Sequence, residues 1–188
     1  MKVDANTVRK GHVLEHNNKL WVVIKSEIMI PGKGNAIVQI DMKDVRTGIK
    51  TNERFRTQES VERVQLSDHE MQFLFVSDGD YTFMDQESFE QYVVQADIIG
   101  DAAVYLQDGM VCNVQTYEGT PLSVDLPAQV TLEIVEADPV VKGQTASSSY
   151  KPAKLSNGVR ILVPPFIEAG TRVVVATADN AYVERAKD

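Results

Sequence analysis

One segment of the sequence presents a reactive side chain on an unusually slim backbone. In Pro31-Gly32-Lys33-Gly34-Asn35 a lysine stands between two glycines. Glycine has no Cβ and tolerates positive φ, so nothing beside Lys33 crowds its amine. The residues before it, Ser26 to Ile30, are of strand length. Those after it alternate, with Val38, Ile40 and Met42 apolar and Gln39, Asp41 and Lys43 polar, the pattern of a half-buried strand. Two flanking strands of about eight residues, rising about 3.3 Å per residue, would hold the segment roughly 20 Å from a small barrel. The chemistry on offer is a single cation at the end of a thin probe. Taken alone, such a segment is more often an ordinary exposed turn.

Little else in the chain suggests chemistry. No phosphate-binding loop of the Walker type is present, and no GxGxxG follows a strand. His12, His16 and His69 are scattered and read as surface residues rather than ligands. The one cysteine, Cys112, follows Val111 in an apolar strand and reads as a small buried filler. The carboxylates lack the spacing of a metal loop and read as a solvated face. Trp21 is expected in a core, and Tyr105 and Tyr117 as packing residues before base-stacking platforms. No catalytic residue, metal or cofactor is assigned, and the chain is not read as an enzyme.

The 188 residues are 43% hydrophobic and 24% charged, which excludes disorder as the main state. The longest apolar run, Ile161 to Ile167, contains two prolines, far short of the ~20 residues of a membrane-spanning helix. The N-terminus has no secretory apolar segment, and a single cysteine fits a reducing cytoplasm. The net charge of -8 hides a pattern. Residues 1–64 hold 12 Lys+Arg against 8 Asp+Glu, residues 65–128 hold 12 Asp+Glu and no Lys or Arg, and residues 129–188 hold 7 of each. Such polarity lets one end approach a polyanion while the middle is repelled from it, although charge segregated by domain for solubility gives the same count.

The elements that must position Lys33 are short strands. Turn signals at Asn17-Asn18, Arg46-Thr47-Gly48, Ser77-Asp78-Gly79-Asp80 and Glu118-Gly119 separate apolar runs. Short helical turns are expected within Glu87 to Tyr92 and Gln95 to Tyr105, and a polar loop over Gly143 to Tyr150. The spacing predicts an all-β chain of three small barrels of SH3-like or OB type, 1–64, 65–128 and 129–188.

Several separated motifs, in order, resemble the bacterial elongation factor P family. They are PGKGNA (Pro31–Ala36), RTG (Arg46–Gly48), ERFR (Glu53–Arg56), DGDYTFMDQESFEQ (Asp78–Gln91), GDAAVYL (Gly100–Leu106), EIVEADPVVKGQTA, KPAKLSNGVRILVPPFIEAG (Lys151–Gly170) and YVER (Tyr182–Arg185). The resemblance implies an L shape made of an SH3-like domain and two OB barrels. It implies a monomeric factor that enters the bacterial ribosome between the peptidyl and exit sites and relieves stalling at consecutive prolines. Its partners would be ribosomal RNA, the peptidyl-tRNA and a lysine-modifying enzyme, with no membrane. Lys33, usually extended covalently in the family, would lie beside the tRNA CCA end, with Pro31, Gly32, Gly34 and Asn35 forming its loop.

Two departures stand out. The family's Gly-Asp-Thr loop, which approaches the exit-site codon, is Gly143-Gln144-Thr145 here. The family's Asp-Thr-Arg-x-Gly-Glu-Tyr turn is Ala176-Thr177-Ala178-Asp179-Asn180-Ala181-Tyr182, so its basic residue is missing, while Tyr182 and Arg185 still match as RNA-contacting residues. The competing expectation is a single-stranded RNA-binding module of SH3 and OB barrels with no ribosomal role. The absence of cations from residues 65–128 argues against it, because such grooves are basic.

Overall fold

A computed structural model of the chain describes residues 1–139 and 149–187. Period-two alternation of apolar residues builds three antiparallel sheets that curl into partial barrels. The described residues fall into two compact units, Met1–His69 with Val114–Val124, and Glu70–Asn113 with Asp125–Asp188.

The first unit holds a six-stranded sheet. Its strands are β1 (Lys2–Asp4), β2 (Val13–His16), β3 (Lys19–Met29), β4 (Ile37–Asp44), β5 (Lys50–Arg56) and β6 (Ser60–Val64), in the order β1-β6-β2-β3-β4-β5. Asn17 and Asn18 both take positive φ, +53° and +60°, which gives the tight turn expected between β2 and β3. The strand expected from Ser26 does not start there but continues the apolar residues Leu20 to Ile24, and it ends at Met29. A bulge between Val23 and Lys25 bends it, so Ile24 is the extra residue that broke the alternation. Leu14, Trp21, Val23, Val38, Ile40, Met42 and Phe55 form the core under this sheet. Trp21 donates its ring N–H to the His16 carbonyl at 3.0 Å, satisfying the one polar group that a buried indole carries.

Asp44 closes the inner end of the β4–β5 hairpin. Its Oδ1 accepts from the backbone N–H of Arg46 at 2.8 Å and of Thr47 at 3.3 Å, and Lys19 Nζ stands 3.8 Å from its other oxygen. The Arg46 bond is the main reason its pKa lies below the ordinary carboxylate value; burial opposes it.

The middle five-stranded sheet comprises β7 (Ser67–Ser77), β8 (Asp80–Asp85), β9 (Gln91–Gln95), β10 (Val111–Tyr117) and β11 (Thr120–Asp125), ordered β11-β10-β7-β8-β9. The helical turns expected over Gln95 to Tyr105 are a four-residue α-turn, Ala96–Ile99, followed by a 3-10 stretch, Gly100–Tyr105. Over Glu87 to Tyr92, however, a tight turn leads into β9 with no helix. Cys112 is buried in β10. Burial, and then the charge of Asp125, push its thiol up to about 11. Only about one thiol in a thousand is then ionised near pH 8, and the thiolate is the nucleophile. Iodoacetamide is therefore expected to leave the native protein unlabelled at that pH and to label it promptly in denaturant. Fast native labelling would contradict the burial.

The third sheet comprises β12 (Gln129–Ala137), β13 (Lys151–Leu155), β14 (Arg160–Val163), β15 (Arg172–Ala176) and β16 (Ala181–Arg185), ordered β14-β13-β12-β15-β16. Strand β13 escaped the sequence reading because Pro152 and two lysines interrupt its apolar signal. Ile134, Leu155, Val163, Ile167, Val173 and Val175 are fully buried beneath it. Tyr105 joins the same core at 1% exposure, and its hydroxyl donates to Asn180 Oδ1. Gln107 Nε2 donates to the Thr131 carbonyl at 3.1 Å and Asn157 Nδ2 to that of Val104 at 3.0 Å. The segment 104–107 is thus fastened to the third sheet by one buried ring and three hydrogen bonds.

Candidate functional site

Strands β3 and β4 pair from Trp21↔Asp44 out to Met29↔Ile37, which leaves Ile30 to Ala36 as a seven-residue loop. Pro31, Gly32, Lys33, Gly34 and Asn35 are all exposed. A Cβ built on Gly32 would meet nothing within 4 Å, and one on Gly34 only the Pro31 ring at 3.8 Å. Space is therefore open on both sides of Lys33. Only Gly34 uses the conformational freedom of glycine, at φ +118°. Gly32 keeps the backbone slim without needing it.

The loop rests on an apolar collar. Ile28, Met29 and Ile30 are 52%, 43% and 81% exposed, although the same strand buries Trp21 and Val23 near its start. Burial thus ends partway along β3, whereas on β4 it continues to Val38, opposite Ile28. Beside the loop is an open cleft lined by Asn35, Ala36, Arg56, Thr57, Gln58 and Glu59.

Sheet register reveals a feature that the block charges only hinted at. Residues directly opposite across paired strands share a face. On the face away from the core the rows are Met29–Ile37–Arg56, Glu27–Gln39–Arg54, Lys25–Asp41–Asn52 and Val22–Lys43–Lys50. Five cations thus share this face with two carboxylates, and both carboxylates are engaged. Glu27 binds Lys25 at 2.7 Å, and Asp41 accepts from Asn52 Nδ2. Arg54 and Arg56 make no ion pair among the described residues and lie at the end of β5 nearest the Lys33 loop. The signal was present in the sequence as Lys50, Asn52, Arg54 and Arg56 at period two, but it needed the strand assignment to be read as one face.

The remaining predicted residues separate from this site. Tyr182 is half-buried on β16, with its ring edge-on to Tyr150 at 6.5 Å, and burial raises its pKa. Arg185 is exposed, its guanidinium 5.4 Å from the Phe166 ring centre. Gly143, Gln144 and Thr145 lie outside the described residues. Asn180, at φ +55°, spends its carboxamide oxygen on Tyr105. Tyr105 is a core residue, and Tyr117 is half-buried.

His12 and His16 are half-buried rather than on the surface. His12 Nδ1 accepts from the Arg9 N–H at 3.1 Å. Its pKa is lowered by burial first and by Arg63 and Arg9 next. His16 packs edge-on against Phe55. Among the described residues no three His, Cys, Asp or Glu side chains group to hold a metal ion, and no helix is long and apolar enough to cross a membrane.

Comparison with known proteins matches the chain to three family profiles in order. The elongation factor P KOW-like domain spans residues 4–61, the elongation factor P OB domain 66–124 and the elongation factor P C-terminal domain 130–185. Elongation factor P of Rhodospirillum centenum is 65% identical, and that of Xanthobacter autotrophicus 56% identical, each over 188 residues and the full length of both chains. Among solved structures, eukaryotic translation initiation factor 5A from Methanococcus jannaschii aligns with 67% of this chain and 92% of its own, at 16% identity and a TM-score of 0.45. Profiles along nearly the whole chain and full-length relatives at this identity, on three β-sheets with a lysine-tipped hairpin, make the chain a member of the elongation factor P family of translation elongation factors.

Proposed function

We propose that this chain binds the ribosome between the peptidyl and exit sites and stimulates peptide-bond formation at consecutive prolines, with Lys33 holding the CCA end of the peptidyl-tRNA. The observation that carries this is the exposed, glycine-flanked Lys33 at the end of a hairpin beside which strand β5 sets Lys50, Arg54 and Arg56 on the outer face. Proline fixes φ and restricts the approach of the reacting atoms. Holding the tRNA end raises the fraction of productive geometry, and orientation of this kind needs no acid, base or nucleophile. Arg54 and Arg56 supply phosphate contacts that bring the tip in. Lys33 carries a covalent extension added by a lysine-specific enzyme. Gly143, Gln144 and Thr145 meet the exit-site codon, with the Gln144 carboxamide both accepting and donating, and Tyr182 and Arg185 add RNA contacts. The factor works as a monomer in the cytoplasm.

The test is pelleting with purified ribosomes across a salt series. Each phosphate contact removed should lower the slope of log affinity against log salt by about one. Arg54→Ala and Arg56→Ala are each expected to weaken ribosome binding and to flatten that slope. Tight binding to short RNA at physiological salt, with no binding to ribosomes, would instead favour the single-stranded RNA module.

A further inference from the structure

The β4–β5 turn and the β8–β9 turn share one hydrogen-bonding plan, but the second has Phe89 where the first has Gly48. In the first, the Asp44 N–H donates to the Ile49 carbonyl at 2.8 Å and the Gly48 N–H to the Asp44 carbonyl at 2.9 Å. The Asp44 carboxylate takes the Arg46 and Thr47 N–H groups, and the Thr47 hydroxyl takes that of Ile49 at 3.4 Å. In the second, the Asp85 N–H donates to the Glu90 carbonyl at 2.9 Å and the Phe89 N–H to the Asp85 carbonyl at 3.0 Å. The Asp85 carboxylate takes the Glu87 and Ser88 N–H groups at 2.7 and 3.1 Å, and the Ser88 hydroxyl takes that of Glu90 at 3.3 Å.

The fourth residue after the aspartate is left-handed in both turns. In the first it is Gly48 at φ +75°, and in the second Phe89 at φ +61°. Glycine takes this conformation freely, whereas a bulky residue there is strained. Phe89 does not recover that strain by packing, because it is 68% exposed. The ring is therefore held out, on a turn braced by six hydrogen bonds, with the last from the Tyr92 hydroxyl to the Glu90 carboxylate at 2.9 Å. A rigid aromatic presented in this way is a pre-organised anchor for a partner.

We propose that Phe89 is a docking residue that inserts into an apolar pocket on a basic protein surface of the ribosome. This rests on the ribosome-binding reading above and adds a second contact to it. An exposed ring could also stack on a nucleobase, but the local charge opposes that. Glu87 and Glu90 flank Phe89 and are exposed, and residues 65–128 contain 12 Asp+Glu and no Lys or Arg. Phosphate would be repelled from this surface and a basic protein drawn to it.

The test pairs stability with binding, because the two should move in opposite directions. Phe89→Gly removes the strain and the anchor together. Its unfolding midpoint is expected to rise by about 2–4 °C, while its affinity for purified ribosomes falls about tenfold. A photoreactive benzophenone side chain at position 89 is expected to cross-link on those ribosomes to a basic ribosomal protein. Wild-type affinity in Phe89→Gly, a lowered midpoint, or a cross-link to ribosomal RNA would each overturn the docking role while leaving ribosome binding standing. Failure of the wild-type protein itself to bind ribosomes would overturn both.

Discussion

Replacing Lys33 by alanine is expected to leave the fold intact and to abolish relief of stalling at proline runs. The first half follows from exposure. Lys33 stands in open space between two glycines, so its loss should change stability by no more than about 0.5 kcal/mol. The second half follows from reach. The lysine stem is the longest side chain of the Pro31–Asn35 loop, and alanine removes all of it. Lys33→Arg separates charge from modification. Arginine keeps the cation, so it should work if charge alone suffices. A lysine-specific modifying enzyme cannot use it, so it is expected to lose most of the activity. The readout is a translated reporter with and without a Pro-Pro-Pro insert, at equal protein level. Intact mass of the protein from its native host should show Lys33 heavier than lysine in the wild type and unaltered residues in both variants.

Tyr105→Ala is expected to be the most destabilising single change on the surface of contact between segment 104–107 and the third sheet. The ring is 1% exposed among Val130, Ile134, Leu155 and Val175, and deleting a buried aromatic typically costs about 3–5 kcal/mol. Tyr105→Phe keeps the ring and loses only the donor to Asn180, so about 1 kcal/mol is expected. Burial, and next the charge of Asp179, raise the Tyr105 pKa, so the hydroxyl stays a donor at neutral pH. Because Trp21 lies in the first unit, its fluorescence will not report this loss. Hydrogen exchange of β12 and β15 will. Protection in Tyr105→Ala equal to wild type would contradict the packing.

Much of this fold could be read from the sequence because its strands are half-buried and their turns carry Asn, Asp and Gly. The Asn17-Asn18 and Asp78-Gly79 turns are where the residues placed them. Strand β3 was divided because a bulge at Ile24 shifts the alternation, and β13 was missed because Pro152 dilutes its signal. The Lys33 loop was legible because its features are local, a lysine and its two neighbours. The Arg54–Arg56 face was not, because it depends on pairing between β4 and β5. Tyr105 was expected as a packing residue and is one, but the partner of its hydroxyl could not be read from the sequence, since Asn180 lies 75 residues away. The turn at Asn180 looked in the sequence like the loss of a family cation. In the structure it is a bond between two segments of the second unit.

The most direct measurement is the rate of a single Pro–Pro peptide bond on purified ribosomes carrying a prolyl peptidyl-tRNA, with the native, modified protein added or withheld. The proposed mechanism predicts a large acceleration with the wild-type protein, little with Lys33→Ala, and little effect for either on a bond between two good substrates. Equal rates with wild type and Lys33→Ala would contradict it.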